Sequence, residues 1–262
     1  MKLVVAIALG VLVLGVAAVL AGQRQLLYPA PRPARPPERD LGELLRLRTT
    51  VALWSPPPPG TSPVVVHFHG NGEQLADLRH VVTGLRRNGL GVLAVEYPGY
   101  GLAGGSPSEE SLFAAGREAL AYARERLGVP PERLVLQGQS LGSGVAARLA
   151  SEGQGTALVL VSPFTSMTDL AAHLFPALPL SRLVRDRFDT RAVAPSVRIP
   201  VLIVHGDRDD LVPFPMGEEL ARTFPKARLL RVAGAHHNDL WLEQGEELLS
   251  AIATFFRGSR VR

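Results

Sequence analysis

One serine, a pair of histidines and three aspartates stand where they could carry acyl transfer. Gly138, Gln139, Ser140, Leu141 and Gly142 read G-x-S-x-G, directly after the apolar run Arg133 to Gly138 and directly before an alanine-rich stretch with helical character. A sharp strand-to-helix turn of this kind strains the serine backbone and exposes its hydroxyl at the end of a sheet, while the flanking glycines let neighbouring chain pass close. The N-terminus of the following helix favours a developing negative charge. In isolation the pentapeptide is a common glycine turn; the strand before it and the helix after it give it weight.

A serine hydroxyl needs a base, and the base needs an orienting acid. Strand-mounted arrays of this type run in the order serine, acid, histidine, each on a loop after a later strand. The chain supplies that order. The acid falls in HGDRDDLVP, where Asp207, Asp209 and Asp210 compete, and the base in AGAHHNDLW, where His236 and His237 compete. Spacing alone does not choose among them, and either loop by itself could be a solvated acidic turn or a pair of surface histidines. The oxyanion formed during acyl transfer requires two backbone N–H groups: that of Leu141, after the nucleophile, and that of Asn71 in the loop HGNG. His69 is then expected to hold that loop rather than to move protons.

Elements that could position these loops are legible. Apolar, β-branched runs at Val64 to Phe68, Gly91 to Tyr97, Arg133 to Gly138, Ala157 to Pro163, Pro200 to Gly206 and Ala227 to Gly234 alternate with amphipathic stretches such as SLFAAGREALAYARERLG. Runs this apolar suit strands covered on both faces, so the alternation predicts an α/β fold with a mainly parallel sheet between helices. A single antiparallel strand near Leu44 to Leu53 is expected ahead of the PPPPG turn. At 262 residues one catalytic domain suffices.

Residues 1–22 read differently. Leu3 to Ala21 is nineteen apolar residues without charge, about enough to cross a ~30 Å hydrocarbon core. The segment is expected to be a retained membrane anchor with an extracytoplasmic catalytic domain; a cleaved secretory signal is the alternative, since Lys2 gives a positive start and Val19 and Ala21 suit a cleavage site. Arg24, Arg32 and Arg35 pull against Lys2 in setting orientation. The prolines of residues 23–40 predict an extended tether, and the folded domain is expected over 41–262. The net charge of +4, with scattered arginines, leaves no footprint for nucleic acid, and the absence of cysteine excludes disulfides, thiolate catalysis and cysteine zinc sites.

On these pieces the chain resembles the α/β-hydrolase superfamily, and within it the membrane-anchored BEM46-type serine hydrolases. The matching segments are the apolar N-terminus, QLLYPAP, HFHGNG, EYPGYG, GQSLGSG, SPFTSM, HGDRDDLVP and HHNDLW. The resemblance places the acid on Asp209 and the base on His237. Asp207, Asp210 and the doubled histidine depart from the pattern.

The implied reaction is hydrolysis of carboxylic esters or thioesters through an acyl-enzyme on Ser140, with no cofactor or metal. A small-molecule or lipid-like acyl substrate is expected. The short insertion between Pro163 and Pro200 leaves room only for a minimal cap, with Phe164, Leu174 and Phe175 as candidates to line an apolar pocket. A non-catalytic binding module and a peptidase of the same fold are the rival readings. Two further patterns are set aside. Gly99 to Gly104 fits G-x-G-x-x-G, but the next helix starts only near Ser108 and no acidic residue follows to hold a ribose. His67 and His69 share a strand face without an evident third metal ligand, which favours packing and loop fixation.

Overall fold

A computed structural model describes residues 22–60, 62–176, 183–243 and 245–259, with Gly15 besides. Eight strands form one sheet in the order β1-β2-β4-β3-β5-β6-β7-β8. They are β1 Glu43–Arg46, β2 Val51–Ser55, β3 Val64–Phe68, β4 Gly91–Val95, β5 Leu134–Gln139, β6 Leu158–Val161, β7 Val201–Gly206 and β8 Ala227–Val232. The first two pair antiparallel, and β2 is antiparallel to β4. Every pairing from β4 to β8 is parallel. The antiparallel strand expected near Leu44 to Leu53 is a hairpin instead. The Leu47 N–H donates to the Thr50 carbonyl at 2.9 Å, and the turn is held by Glu118, which accepts from the backbone of Arg48 and Thr49.

Residues 22–27 are helical (α1). Then come α2 Arg79–Arg87, α3 Glu109–Glu125, α4 Leu141–Ser151, α5 Met167–Leu174, α6 Thr190–Val193, α7 Phe214–Thr223, α8 Leu240–Glu243 and α9 Gly245–Gly258. The central strands are apolar on both sides because helices cover both faces. Val64, Val66 and Phe68 of β3 pack with Leu112 and Leu120 of α3 and with Val145 and Leu149 of α4. Val65 belongs to the opposite core, with Val81 and Leu85 of α2 and Leu249 and Ile252 of α9. Ser108 caps α3, its side chain and that of Ser111 satisfying each other's backbone N–H, so the helix begins where the G-x-G-x-x-G segment has already ended.

Moving outward from β3, the chain runs one way through β4 and the other way through β5 to β8. Loops leaving the carboxyl ends of β3 and β5 therefore diverge to opposite sides and leave a crevice, which is where open α/β sheets bind ligands. HGNG and Ser140 stand at those two strand ends.

The proline-rich segment, expected as an extended tether, is fastened to the folded domain. Tyr28 is buried against Phe188, and its hydroxyl donates to Asp186 at 2.9 Å. A tyrosine gains from burying its ring only when its hydroxyl finds a partner, and Asp186 supplies one. The nineteen-residue apolar stretch, Leu3 to Ala21, lies outside the described residues apart from Gly15; among the described residues no helix is long and apolar enough to cross a membrane.

Candidate active site

Ser140 sits between β5 and α4 with φ 47° and ψ −114°, a backbone conformation that a residue with a side chain adopts only under strain. Its surroundings hold it there. A Cβ on Gly142 would stand 2.1 Å from the Phe68 carbonyl oxygen, and one on Gly138 would stand 2.1 Å from the Gly142 carbonyl oxygen. The glycines of the motif are thus required by clearance: the elbow is pressed against its own strand and against the end of β3. The Ser143 hydroxyl donates to the Ser140 carbonyl at 2.6 Å and closes the turn.

Three side chains from three strand ends converge here. His237 Nε2 lies 3.0 Å from Ser140 Oγ, and His237 Nδ1 lies 2.8 Å from Asp209 Oδ2. Because the carboxylate only accepts, Nδ1 carries the hydrogen and Nε2 is left to accept from the serine hydroxyl. All three residues are at least nine-tenths buried. Asp209 is fixed from its other side as well: Oδ1 accepts from the backbone N–H of Leu211 at 3.0 Å and of Val212 at 2.7 Å. Burial alone would raise its affinity for a proton. Hydrogen bonds from His205 and His237, the charge of His237 and the Val212 N–H outweigh that and hold Asp209 below the usual carboxylate range.

The competing acids and the second histidine have other places. Asp207 accepts from Arg231 at 2.7 Å and from the Gly234 N–H at 2.7 Å, which ties the acid loop to the loop carrying the histidines. Asp210 is exposed and 3.7 Å from the half-exposed His236. Only the pair Asp209 and His237 meets Ser140.

Sequence reasoning passed over His205. The ring is fully buried on β7, and its Nε2 donates to the Val212 carbonyl at 2.9 Å while standing 3.3 Å from Asp209 Oδ2. It therefore buttresses both the acid and the turn that feeds the acid its backbone donors. The signal was its position at the end of a strand otherwise made of apolar residues, immediately before the acidic loop.

The HGNG loop lies beside the elbow, since Gly142 is packed against the carbonyls of Phe68 and His69. His69 holds it from below: Nε2 meets Glu96 at 2.9 Å and Nδ1 donates to the Gly70 carbonyl at 2.8 Å. Burial works against a charged ring there, but the hydrogen bond and charge of Glu96 prevail and raise the His69 pKa. The Gly70 N–H is given to Glu73 at 2.6 Å. Leu141 is the first residue of α4, so its N–H has no carbonyl partner within the helix. Of the pocket candidates, Phe164 is buried in the core, while Leu174 and Phe175 are exposed at the end of α5. His67 is fully buried with neither ring nitrogen hydrogen-bonded. Among the described residues no cluster of three or more metal-ligating side chains occurs. A cleft of about 2070 Å³ opens among Thr156, Arg198, Pro200, Lys226 and Phe255, at the amino ends of the strands and away from this array.

Comparison with known proteins shows the family. Residues 60–193 match the family model described as serine aminopeptidase, S33, and residues 183–261 match that of TAP-like protein. The chain belongs to the α/β-hydrolase superfamily. An uncharacterized protein of Mycobacterium tuberculosis is 38% identical over 204 residues, 77% of this chain and 72% of that protein. Alpha/beta hydrolase domain-containing protein 17C of Xenopus tropicalis is 35% identical over 188 residues, 70% of this chain, and the match spans 59% of that longer protein. Among solved structures, a Pyrococcus furiosus esterase superposes with TM-score 0.71 at 20% identity, covering 88% of this chain and 97% of its own. Est1E of Butyrivibrio proteoclasticus, solved with ferulic acid, gives 0.66 at 17% identity over 83% of this chain and 100% of its own. These likenesses make the protein a hydrolase of this superfamily, and its sheet an α/β-hydrolase sheet.

Proposed function

We propose that the protein is a serine hydrolase of carboxylic esters or thioesters, of the BEM46 type. The observation that carries this reading is the continuous hydrogen-bonded path from Ser140 through His237 to Asp209, mounted on a strained elbow. In the first step Ser140 Oγ attacks the substrate carbonyl while His237 Nε2 takes its proton. The tetrahedral oxyanion accepts from the N–H groups of Leu141 and Asn71, then collapses as His237 protonates the departing alcohol or thiol. Water, deprotonated by the same nitrogen, repeats the sequence on the acyl-enzyme and frees the acid. Asp209 keeps the hydrogen on Nδ1 and stabilises the imidazolium formed in each half.

Support for an acyl ester comes from the exposed apolar pair Leu174 and Phe175 on the insertion after β6, and from the Pyrococcus furiosus esterase among the structural relatives. We assign Leu174 and Phe175 to acyl binding; Phe164, buried in the core, is not part of that surface. The stretch Leu3 to Ala21 is proposed to anchor the protein in a membrane with the catalytic domain on the extracytoplasmic side, near lipid-like substrates. The S33 family description favours one second reading, release of an amino-terminal residue from a peptide.

Intact-mass measurement after treatment of the full chain with a fluorophosphonate tests the nucleophile. A single adduct on the parent, absent from Ser140→Ala, is the expected result; a well-folded parent without adduct would sink the reading. p-Nitrophenyl esters, an acyl thioester and an amino-acid p-nitroanilide then separate esterase, thioesterase and aminopeptidase activity.

A further inference from the structure

The segment that composition marks as a linker is tied to the insertion after β6 and to the HGNG loop. Its first clasp is on the insertion after β6, where Tyr28 Oη donates to Asp186 Oδ2 at 2.9 Å and Arg24 Nε donates to the same oxygen at 3.1 Å. A second clasp reaches the HGNG loop itself: Asn71 Nδ2 donates to the Leu27 carbonyl at 2.7 Å, and the Tyr100 hydroxyl donates to Asn71 Oδ1 at 2.6 Å. Further along, the Arg35 N–H donates to Gln74 Oε1 at 2.8 Å, and Arg35 Nη2 to Asp77 at 2.5 Å. Residues 24–35 are therefore a strap, fastened at one end to the insertion and along its length to the loop after β3.

Asn71 is exposed, and both ends of its side-chain amide are engaged. Those two bonds fix the side-chain amide between the strap and Tyr100. Tyr100 is itself held, T-stacked at 5.6 Å on Tyr97, whose hydroxyl donates to the His69 carbonyl at 2.8 Å. The strap is the partner of Asn71 that comes from outside the catalytic domain's own loops.

We infer that this strap is a positioning device for the oxyanion hole: the Leu27 carbonyl, held in place by Tyr28 and Asp186, aims the backbone N–H of Asn71 through that residue's side chain. The inference rests on the proposed reading of Ser140 as nucleophile and of the Asn71 N–H as oxyanion donor. Tyr28, Asp186 and the Asn71 amide are positioning groups; none needs to touch substrate. A donor misplaced by a fraction of an ångström loses much of its effect on the oxyanion while leaving ground-state binding alone.

The test uses the full chain with p-nitrophenyl butyrate and four proteins: parent, the strap-release variant Arg24→Ala with Tyr28→Phe, Asn71→Ala, and all three changes together. Complete loss of an oxyanion donor costs about 10²–10³ in kcat, so a misaimed donor is expected to cost about 10–100-fold in Asn71→Ala. Strap release is expected to lower kcat in the same direction by a smaller factor, with KM within about 2-fold in both. Because the coupling runs through Asn71, release in the Asn71→Ala background should lower kcat no further. Hydrogen exchange of the amides of residues 69–75 should speed up on strap release. Unchanged kcat on strap release, or effects that multiply in the combined variant, would overturn the inference. A folded parent that takes no fluorophosphonate and turns over no ester would instead remove the proposed function. In that case the exchange measurement still decides: faster exchange at 69–75 upholds the coupling, and unchanged exchange refutes it.

Discussion

Replacing Asp209 with asparagine removes one charge and almost no volume, yet it should invert the histidine beside it. Asp209 Oδ1 accepts from the N–H groups of Leu211 and Val212, and Oδ2 faces the Nδ1 hydrogen of His237 and the Nε2 hydrogen of His205. An asparagine has a single oxygen to share among these donors. Turning its NH2 toward Leu211 and Val212 would strand two backbone donors, at about 1–3 kcal/mol each when buried, so the oxygen stays there and the NH2 faces His237. The imidazole must then accept at Nδ1 and carry its hydrogen on Nε2, where it can no longer take a proton from Ser140. In a serine-protease triad this tautomer error costs about 10⁴ in kcat, or about 5 kcal/mol of barrier. The same magnitude is expected here for turnover of p-nitrophenyl butyrate, with KM little changed and the fold intact by circular dichroism. Asp210→Asn should stay within about 2-fold of the parent, since that carboxylate is exposed and 3.7 Å from a solvent-facing histidine. A loss below about 10-fold in Asp209→Asn, or a larger loss in Asp210→Asn, would refute the assignment of the acid and the tautomer argument with it.

Three other outcomes are expected. His67 takes its proton only near pH 3 in the folded chain, because burial and then the charge of His69 oppose it, against an ordinary value of 6.5. The unfolded chain binds that proton first as pH falls, so stability drops between pH 6.5 and 3, by about 2 kcal/mol at pH 5. Urea midpoints at pH 7 and 5 should converge in His67→Leu, and an unchanged pH dependence would refute this. Gly142→Ala drives a methyl into the Phe68 carbonyl and should cost about 3 kcal/mol or more in thermal unfolding, whereas Gly258→Ala, with open space around it, should leave the midpoint unchanged or slightly higher. His237→Ala should lose at least about 10³ in kcat and His236→Ala less than about 2-fold; equal losses would mean that the wrong histidine has been placed in the array.

His69 titrates in the opposite sense to His67. Its raised pKa stabilises the fold fully below the ordinary histidine value and loses that contribution as pH climbs past the folded one. The two rings stand two residues apart on the same chain, so their opposite behaviour is a matter of partners: Glu96 meets one, and no hydrogen-bond partner meets the other.

The amino-acid sequence by itself determined the parts whose signals are local. Apolar runs of five to eight residues marked strands covered on both faces, which holds for β3 to β7 but not for the edge strand β8, and Gly138, Ser140 and Gly142 between such a run and a helix marked a tight elbow. The order of serine, acid and histidine loops came from the order of strands. Tertiary structure decided whatever depends on which atoms meet. Asp207, Asp209 and Asp210 are alike in type and nearly alike in position; only the direction each side chain takes from the turn after β7 gives Asp209 to His237 and Asp207 to Arg231. The hairpin at Thr50 depended on a carboxylate from α3, far away in the chain. His205 looked like one more residue of a buried strand until Val212 and Asp209 came within reach of its ring. Composition also left open how residues 23–40 are held. Prolines do exclude helix and sheet from most of that stretch, but extended chain can still be held, and the bonds from Asp186, Asn71 and Gln74 that hold it come from residues 39 to 162 positions away in the sequence.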